Sequence, residues 1–112
     1  LLRTGLFTIS TDLSLQLFFG RVASTRPRRE AYHPLSNFFR TRDDAWLCIV
    51  PRVGDADLPR LARALDIPDI LTDARFVTGR ARRDNSAAVT EVLDAAFARF
   101  ALSEIAPRLD AE

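Results

Sequence analysis

The chain has 112 residues, of which 47% are apolar and 28% are charged, so it fits one small globular domain or a part of a larger one. All 16 basic residues are arginine, which excludes Schiff-base and P-loop lysine chemistry. The formal net charge is only +1 and acidic residues occur throughout, so we expect no nucleic-acid partner. No apolar run approaches the length of about 18 residues that a membrane span needs, so we expect no membrane association.

Methionine and cysteine usage lead to two further expectations. The sequence contains no methionine, so we expect an internal fragment of a longer chain, although a processed or engineered product would also fit. The single cysteine, Cys48, lies in an apolar stretch and is predicted to be a small core residue and not a nucleophile. One cysteine forms no intramolecular disulfide, which indicates a reducing cytoplasmic location.

The N-terminal stretch Leu1–Phe19 predicts a helix that stops at Gly20. Apolar residues recur in it near the 3.6-residue helical period, at Leu2, Leu6, Ile9, Leu13 and Leu17. The following stretch, Arg21–Leu35, contains two prolines and a local cluster of arginines. Its composition is typical of a solvated connector between two packed bodies.

A β-hairpin is predicted next, with strands over Asn37–Arg42 and Ala45–Val50 that are rich in aromatic and β-branched residues. Asp43 and Asp44 form a two-residue turn between the strands. Such turns need positive φ angles, which aspartate tolerates poorly, so we expect backbone strain at Asp44. Because a lone hairpin is marginally stable in water, it must pack on the helices that follow.

The rest of the chain predicts helices. One helix opens between Gly54 and Asp57, with Asp55 as its N-cap, and buries an apolar stripe formed by Leu58, Leu61, Ala62 and Leu65. Short helical turns are predicted over Pro68–Leu71 and Thr72–Phe76.

The strongest helical pattern runs from Gly79 to Phe100. Its apolar face consists of Val89, Val92, Leu93, Ala96, Phe97 and Phe100, and the residues off that face include Arg82, Glu91, Asp94 and Arg99. Ser103 is predicted to cap a last helix that continues through Leu109. The fold class is therefore α+β.

No catalytic centre is evident from the residues themselves. His33 is the only histidine, and no cysteine or carboxylate cluster surrounds it at metal-ligand spacing, so we predict no metal and a solvent-facing or packing role. Neither a nucleophile elbow nor a glycine-rich phosphate loop occurs. Asp12, Asp73 and Asp94 fall on helices or caps, where surface and capping roles are typical.

Four stretches occur in a characteristic order: LLRTGLFTISTDLSLQLFFGR, HPLSNFFRTRDDAWLCIV, GDADLPRLARAL and LTDARFVTGRARRDNSAAVTEVLDAAF. Together they resemble the middle of a family III CoA-transferase, the group that includes carnitine-CoA and formyl-CoA transferases and the α-methylacyl-CoA racemases. The residues that match the family's pattern at its spacings are Pro34, Leu35, Asn37, Phe38, Phe39, Asp43, Trp46, Leu65, Asp73, Arg75, Phe76, Arg82 and Asn85.

The resemblance implies a division of the chain. Residues 1–20 would be a helix from the end of a Rossmann-like large domain, residues 21–36 an inter-domain linker, and residues 37–112 an incomplete small α+β domain. Members form interlocked homodimers, and the arginine- and proline-rich linker resembles a threading segment. The implied substrates are an acyl-CoA thioester and a carboxylic acid, with coenzyme A bound as substrate and no resident cofactor.

In transferases of this family an aspartate attacks the acyl-CoA thioester, and it lies upstream of the region that this chain resembles. No residue here inherits that catalytic role. Asn37 and Phe38, beside the hairpin, are candidates for the acyl pocket, with core packing as the alternative.

Two departures from the family pattern matter. Asp44 replaces the family's turn glycine. Pro51–Asp55 lacks the glutamate of the racemase branch, which favours a transferase. A racemase-like enzyme and a non-catalytic dimerisation module remain the alternative functions.

Overall fold

The computed structural model describes residues 1–20, 26–51 and 56–112. Its elements confirm the predicted α+β class. The helices are α1 (Leu2–Thr8), α2 (Ser10–Phe19), α3 (Asp57–Leu65), α4 (Gly79–Asp84), α5 (Ser86–Phe97) and α6 (Leu102–Asp110). The strands are β1 (Asn37–Arg40) and β2 (Trp46–Ile49), and 3₁₀ turns cover Arg28–Glu30 and, as predicted, Pro68–Leu71. No helix in the described ranges has both the length and the apolar character needed to cross a bilayer.

The predicted N-terminal helix is interrupted at Ile9, whose backbone angles are φ −101° and ψ 16°. Just before the break, the Thr8 hydroxyl donates to the Thr4 carbonyl at 2.9 Å, a side-chain bond that competes with the helical ladder. Gly20 ends α2 in the left-handed conformation with φ 63°, as predicted. Neither α1 nor α2 buries a residue, so their apolar stripe faces outward.

The second half of the predicted connector packs against the body of the protein. Arg28 forms an ion pair with Asp94 of α5 and donates to the Phe38 carbonyl of β1 at 2.6 Å. Further along, the Ser86 hydroxyl donates to the Ala31 carbonyl at 3.0 Å, and Leu35 is buried. Residues 21–25 lie outside the described residues, and the division at residues 20 and 36 stays a prediction.

The hairpin is present, but its loop differs from the predicted two-residue turn. Its antiparallel register pairs Arg40 with Trp46. Thr41 N–H donates to the Ala45 carbonyl at 2.9 Å and Asp44 N–H donates to the Thr41 carbonyl at 3.1 Å. Asp44 has φ 63°, and Asp43 has no positive φ. This is a three-residue loop in which a turn is followed by one left-handed residue, so the predicted strain falls on Asp44 alone.

The core forms where the inner face of the hairpin meets the helices. Phe39 of β1 stacks on Phe97 of α5 with ring centroids 4.6 Å apart, and both side chains are fully buried. The predicted stripe of α3 is buried, which confirms its orientation. The predicted cap Asp55 lies outside the described residues, and α3 begins at Asp57. The buried apolar residues are Leu35, Phe39, Leu58, Leu61, Ala62, Ala64, Leu65, Ile70, Phe76, Val89, Leu93, Ala96, Phe97 and Ile105.

The long helix predicted over Gly79–Phe100 is two helices, with a break at Asn85. There the Asn85 side-chain amide donates to the Ala81 carbonyl at 2.9 Å, which again competes with the helical ladder. The break also changes the role of Arg82, which was predicted to lie off the apolar face. Arg82 is buried, and its guanidinium donates to the Phe76 carbonyl at 2.7 Å.

The prediction of Ser103 as a helix cap is wrong. Helix α6 begins at Leu102, with Ala101 in the capping position. The carboxylate of Glu104 accepts from the Ala101 N–H at 2.7 Å, and the carboxylate of Asp43 accepts from the Leu102 N–H at 3.1 Å. Acceptors from α6 itself and from the hairpin loop therefore replace a serine cap.

Replacing Asp44 by glycine tests the strain in the loop. Glycine adopts positive φ freely, so Asp44→Gly should raise the free energy of unfolding by up to about 1 kcal/mol. The substitution also removes the exposed ion pair between Arg40 and Asp44 at 3.0 Å, which contributes little. Asp44→Ala is the matched control, because it removes the same ion pair and keeps a Cβ atom at positive φ. In chemical denaturation, Asp44→Gly variants no more stable than Asp44→Ala variants would contradict a strained Asp44.

Candidate functional site

Asn37, one of the two predicted pocket residues, forms hydrogen bonds to backbone groups with both ends of its side chain. It is buried with 5% of its surface exposed. Its side-chain amide donates to the Arg28 carbonyl at 3.1 Å, and its side-chain oxygen accepts from the Phe38 N–H at 2.9 Å. Both ends of the side chain are thus engaged in holding the connector to β1.

Phe38, the other predicted pocket residue, lies on the opposite face of β1 and is 58% exposed. The register pairs Phe38 with Cys48 and Arg40 with Trp46, so these four side chains share one face, which we call the outer hairpin face. Trp46 is 59% exposed on it. The structure therefore does not bring Asn37 and Phe38 together. It places Phe38 on the solvent-facing outer hairpin face, which also carries the charged Arg40.

Cys48 belongs to this outer face, and its prediction as a core residue is wrong. The thiol is exposed. The apolar run Trp46–Val50 suggested a strand buried on both faces, but only the inner face of the hairpin packs on the helices. The exposed aromatic surface could have been found in the sequence from the alternation of β1, in which Phe38 stands opposite in phase to buried Phe39.

A cleft of about 250 Å³ follows the end of β2. Its floor is mainly apolar and is formed by Leu35, Ile49, Leu61 and Leu109. Three charged side chains, Asp57, Arg60 and Glu112, stand around it. The Arg60 guanidinium lies 3.7 Å from the Asp57 carboxylate. Sequence reasoning missed this cleft, because α6, which forms one of its sides, lies far along the chain from β2 and α3.

A second cleft, of about 340 Å³, lies beside the connector and is polar. Tyr32 lines it, and the guanidinium of Arg83 stacks over the Tyr32 ring at 3.9 Å. His33 meets the same ring edge-on at a centroid distance of 5.0 Å and is exposed, in agreement with its predicted role. In the described parts of the chain, no group of histidine, cysteine and carboxylate side chains has the arrangement of a metal site.

The hairpin loop is fixed on α6 by a polar network around Asp43. The Thr41 hydroxyl donates to the Asp43 carboxylate at 2.5 Å and lowers the pKa of that carboxyl, and the Leu102 N–H lowers it further. Arg42 donates to the Arg99 carbonyl at 2.9 Å and to both oxygens of Glu104 at 3.1 Å. The Ala101 N–H, and then Arg42, lower the pKa of Glu104.

Several residues that carry the family resemblance contact one another just before and within α4. Arg75 makes a two-pronged contact with the Asp73 carboxylate, with distances of 2.6 Å and 3.0 Å, and this lowers the pKa of Asp73. The guanidinium of Arg75 lies 4.9 Å from the centre of the Phe76 ring. Arg82 donates to the Phe76 carbonyl, as described above. The D-x-R-F segment therefore positions the start of α4 and shows no group poised for catalysis.

Two further carboxylates, the predicted Asp94 and Glu112, are paired with arginine. Asp94 pairs with Arg28, and the Arg63 guanidinium lowers the pKa of Glu112 through bonds of 2.5–3.0 Å. Asp12 is exposed on α2. A carboxylate engaged by several donors is a weak nucleophile, because its lone pairs are occupied and its charge is stabilised. The carboxylates of Asp73 and Asp94 are thus committed to ion pairs with arginine.

The fold is an α+β unit whose hairpin exposes aromatic side chains on its outer face. The chain matches the model of CoA-transferase family III over residues 1–112. It therefore belongs to CoA-transferase family III. No curated protein and no solved structure matches it.

The network around Asp43 should make stability depend on pH. Since folding lowers the pKa of Asp43 and of Glu104, their contribution is present above the ordinary carboxyl pKa of about 4 and is lost as the pH falls through the lowered values. Asp43→Asn keeps an acceptor for Thr41 and Leu102 but does not titrate. Between about pH 5 and pH 2, this variant should lose less stability than the parent in denaturant titrations. Ser103→Ala, an exposed neighbour on α6, is the control; equal acid sensitivity of Asp43→Asn and the control would contradict the network.

Proposed function

We propose that this chain is part of an enzyme that transfers coenzyme A between an acyl-CoA thioester and a carboxylic acid through an aspartyl intermediate. The observation that carries the proposal is the family match over residues 1–112. Two features of particular residues agree with it. The carboxylates of Asp43, Asp73 and Asp94 are bonded to donors within the fold, and the hairpin exposes the rings of Phe38 and Trp46, which are suited to contact with an acyl group.

The reaction needs a carboxylate that is free to attack. Its oxygen attacks the thioester carbonyl carbon, the carbon–sulfur bond breaks, and coenzyme A leaves as thiolate with a mixed anhydride on the enzyme. The thiolate then attacks the aspartyl carbonyl, which releases the donor acid and leaves an aspartyl thioester. The acceptor carboxylate attacks that thioester to form a second anhydride, and the returning thiolate takes the new acyl group. Regenerated aspartate completes the cycle.

We place that aspartate outside residues 1–112. Attack requires reacting atoms about 3–3.5 Å apart, in a pocket from which competing donors are absent. Asp43, Asp73 and Asp94 do not meet this requirement, because each is bonded to donors within the fold. The contribution of the chain is then a wall of the acyl pocket, with Phe38 and Trp46 as contacts and Asn37 fixing the strand that carries Phe38. The enzyme would act as a homodimer in the cytoplasm.

An exchange assay tests the proposal. The 112-residue chain and the full-length protein are each incubated with a panel of acyl-CoA donors and carboxylic acids, and new CoA esters are followed by mass. The full-length protein should exchange CoA and yield a hydroxylamine-trapped aspartyl intermediate, and the chain alone should do neither.

Two outcomes would contradict the proposal. Turnover by the chain alone would place the nucleophile within it. A full-length protein that exchanges no CoA and inverts the α-carbon of a branched acyl-CoA would be a racemase.

Phe38→Ala should raise KM for the acyl donor roughly tenfold, the amount that about 1.4 kcal/mol of lost apolar contact gives. Val77→Ala, an exposed apolar position away from the hairpin, should leave KM unchanged.

A further inference from the structure

The cleft of about 340 Å³ beside the connector, which we call the connector cleft, has no part in the proposed function. Three arginines line it, Arg26 and Arg29 from the connector and Arg83 from α4. Its wall is more polar than that of the cleft beside β2. Its volume lies in the range of about 300–1,000 Å³ that small-molecule pockets have, so the connector cleft suits a small hydrophilic ligand.

Two of the three arginines are available to an anion. Arg29 is already engaged, since its guanidinium forms an ion pair with Glu91 at 3.0 Å. In the described part of the chain, no carboxylate lies within ion-pair distance of Arg26 or Arg83. A guanidinium carries several N–H donors in a rigid plane, so each of these two side chains can bind an oxyanion at two points.

Tyr32 holds Arg83 in place before any ligand binds. The guanidinium carbon of Arg83 lies 3.9 Å from the centre of the Tyr32 ring, and such a stack restricts the guanidinium plane while leaving its N–H edges free to donate. The ring of His33 meets Tyr32 edge-on at 5.0 Å. The Ser86 hydroxyl donates to the Ala31 carbonyl at 3.0 Å and ties this part of the connector to α5. A donor that is fixed in advance loses less entropy when it binds.

Two carboxylates also line the connector cleft and reduce its positive charge. Asp84 lies 3.8 Å from Arg80, so part of its charge is directed to a side chain outside the cleft. Glu30 forms no ion pair with any described residue. The arginines still outnumber the carboxylates in the wall, and the cleft therefore favours an anion.

We propose that the connector cleft binds a phosphoryl group, carried by free phosphate or by a small phosphomonoester, between Arg26 and Arg83. A carboxylate is planar and its two oxygens are matched by a single guanidinium. A phosphoryl group has three terminal oxygens in a tetrahedral arrangement, so it can accept from two guanidiniums that approach from different elements. Such a site is independent of the proposed function, because no residue of the outer hairpin face lines the connector cleft.

NMR of the arginine side chains tests the proposal in the 112-residue chain. Inorganic phosphate is added at constant pH and ionic strength, and the Nε–H signals are followed. The signals of Arg26 and Arg83 should shift together and saturate with one dissociation constant. Arg3 on α1 is exposed and lies outside the cleft, so its signal should show no saturable shift. An Arg3 signal that follows the same curve as Arg83 would show a general ionic effect and would overturn the proposal.

Substitutions in the cleft separate a specific site from a general charge effect. Arg83→Gln and Arg26→Gln, on two different elements, should each weaken phosphate binding roughly tenfold, the effect of losing charge-assisted hydrogen bonds. Arg83→Lys keeps the charge without the planar fork and should also bind more weakly than the parent. Glu30→Gln should strengthen binding, because it removes an opposing charge. All four side chains are exposed or replaced by a similar one, and a denaturant midpoint confirms that each variant is folded.

Arg3→Gln is the matched control, because it removes the same charge from the chain at a distance from the cleft. It should leave the dissociation constant for phosphate unchanged. Equal dissociation constants in Arg3→Gln and in folded Arg83→Gln and Arg26→Gln would contradict a site between the two arginines.

The choice of ligand tests the chemical class and the source of the phosphoryl group. Acetate should bind more weakly than phosphate, and acetate that binds as tightly would overturn the phosphoryl assignment. Glycerol phosphate that binds more tightly than inorganic phosphate would support the site and identify a phosphomonoester as its ligand. The reverse order would support the site with free phosphate as its ligand.

Discussion

The stack of Phe39 on Phe97 is the contact on which the rest of the structure depends. A two-stranded hairpin is barely stable in water, so it needs a helix to bury its inner face. Here Phe39 of β1 meets Phe97 of α5, and the guanidinium of Arg28 lies 5.7 Å from the Phe39 ring. The ion pair between Arg28 and Asp94 ties the connector to the same helix. Hairpin, connector and α5 are therefore one packed unit.

The packing of the hairpin on α5 determines which hairpin side chains are exposed. With the inner face of the hairpin used for the core, Phe38, Trp46 and Cys48 must face outward. The polar groups nearby are committed to structure, as Asn37 and Asp43 show by the bonds that their side chains make. The chain belongs to CoA-transferase family III, and in it these side chains hold the connector and the hairpin loop in place.

The sequence predicted what depends on periodicity and missed what depends on single contacts between distant residues. The apolar stripe of α3, the buried face of α5, the stop at Gly20 and the strain at Asp44 follow from local patterns. Side-chain bonds to the backbone occur at the breaks near Ile9 and Asn85, and periodicity does not reveal where such breaks fall. Cys48 was placed in the core because an apolar strand does not reveal that only one of its faces meets a helix. The start of α6 depends on Asp43, which is 59 residues away from Leu102 in the chain. The alternation of residues in β1 was enough to predict the outer hairpin face. The cleft beside β2 could not be predicted in this way.

A double-mutant cycle between Phe39 and Phe97 tests most directly whether one contact organises this unit. Each single alanine substitution should lower the free energy of unfolding by about 3–5 kcal/mol, since both rings are fully buried. If the stack joins hairpin and helix, the double variant should lose less than the sum of the two, with a coupling of about 1 kcal/mol or more by denaturant titration. Losses that add to within about 0.3 kcal/mol would show that the two rings are stabilised independently, and would contradict the account.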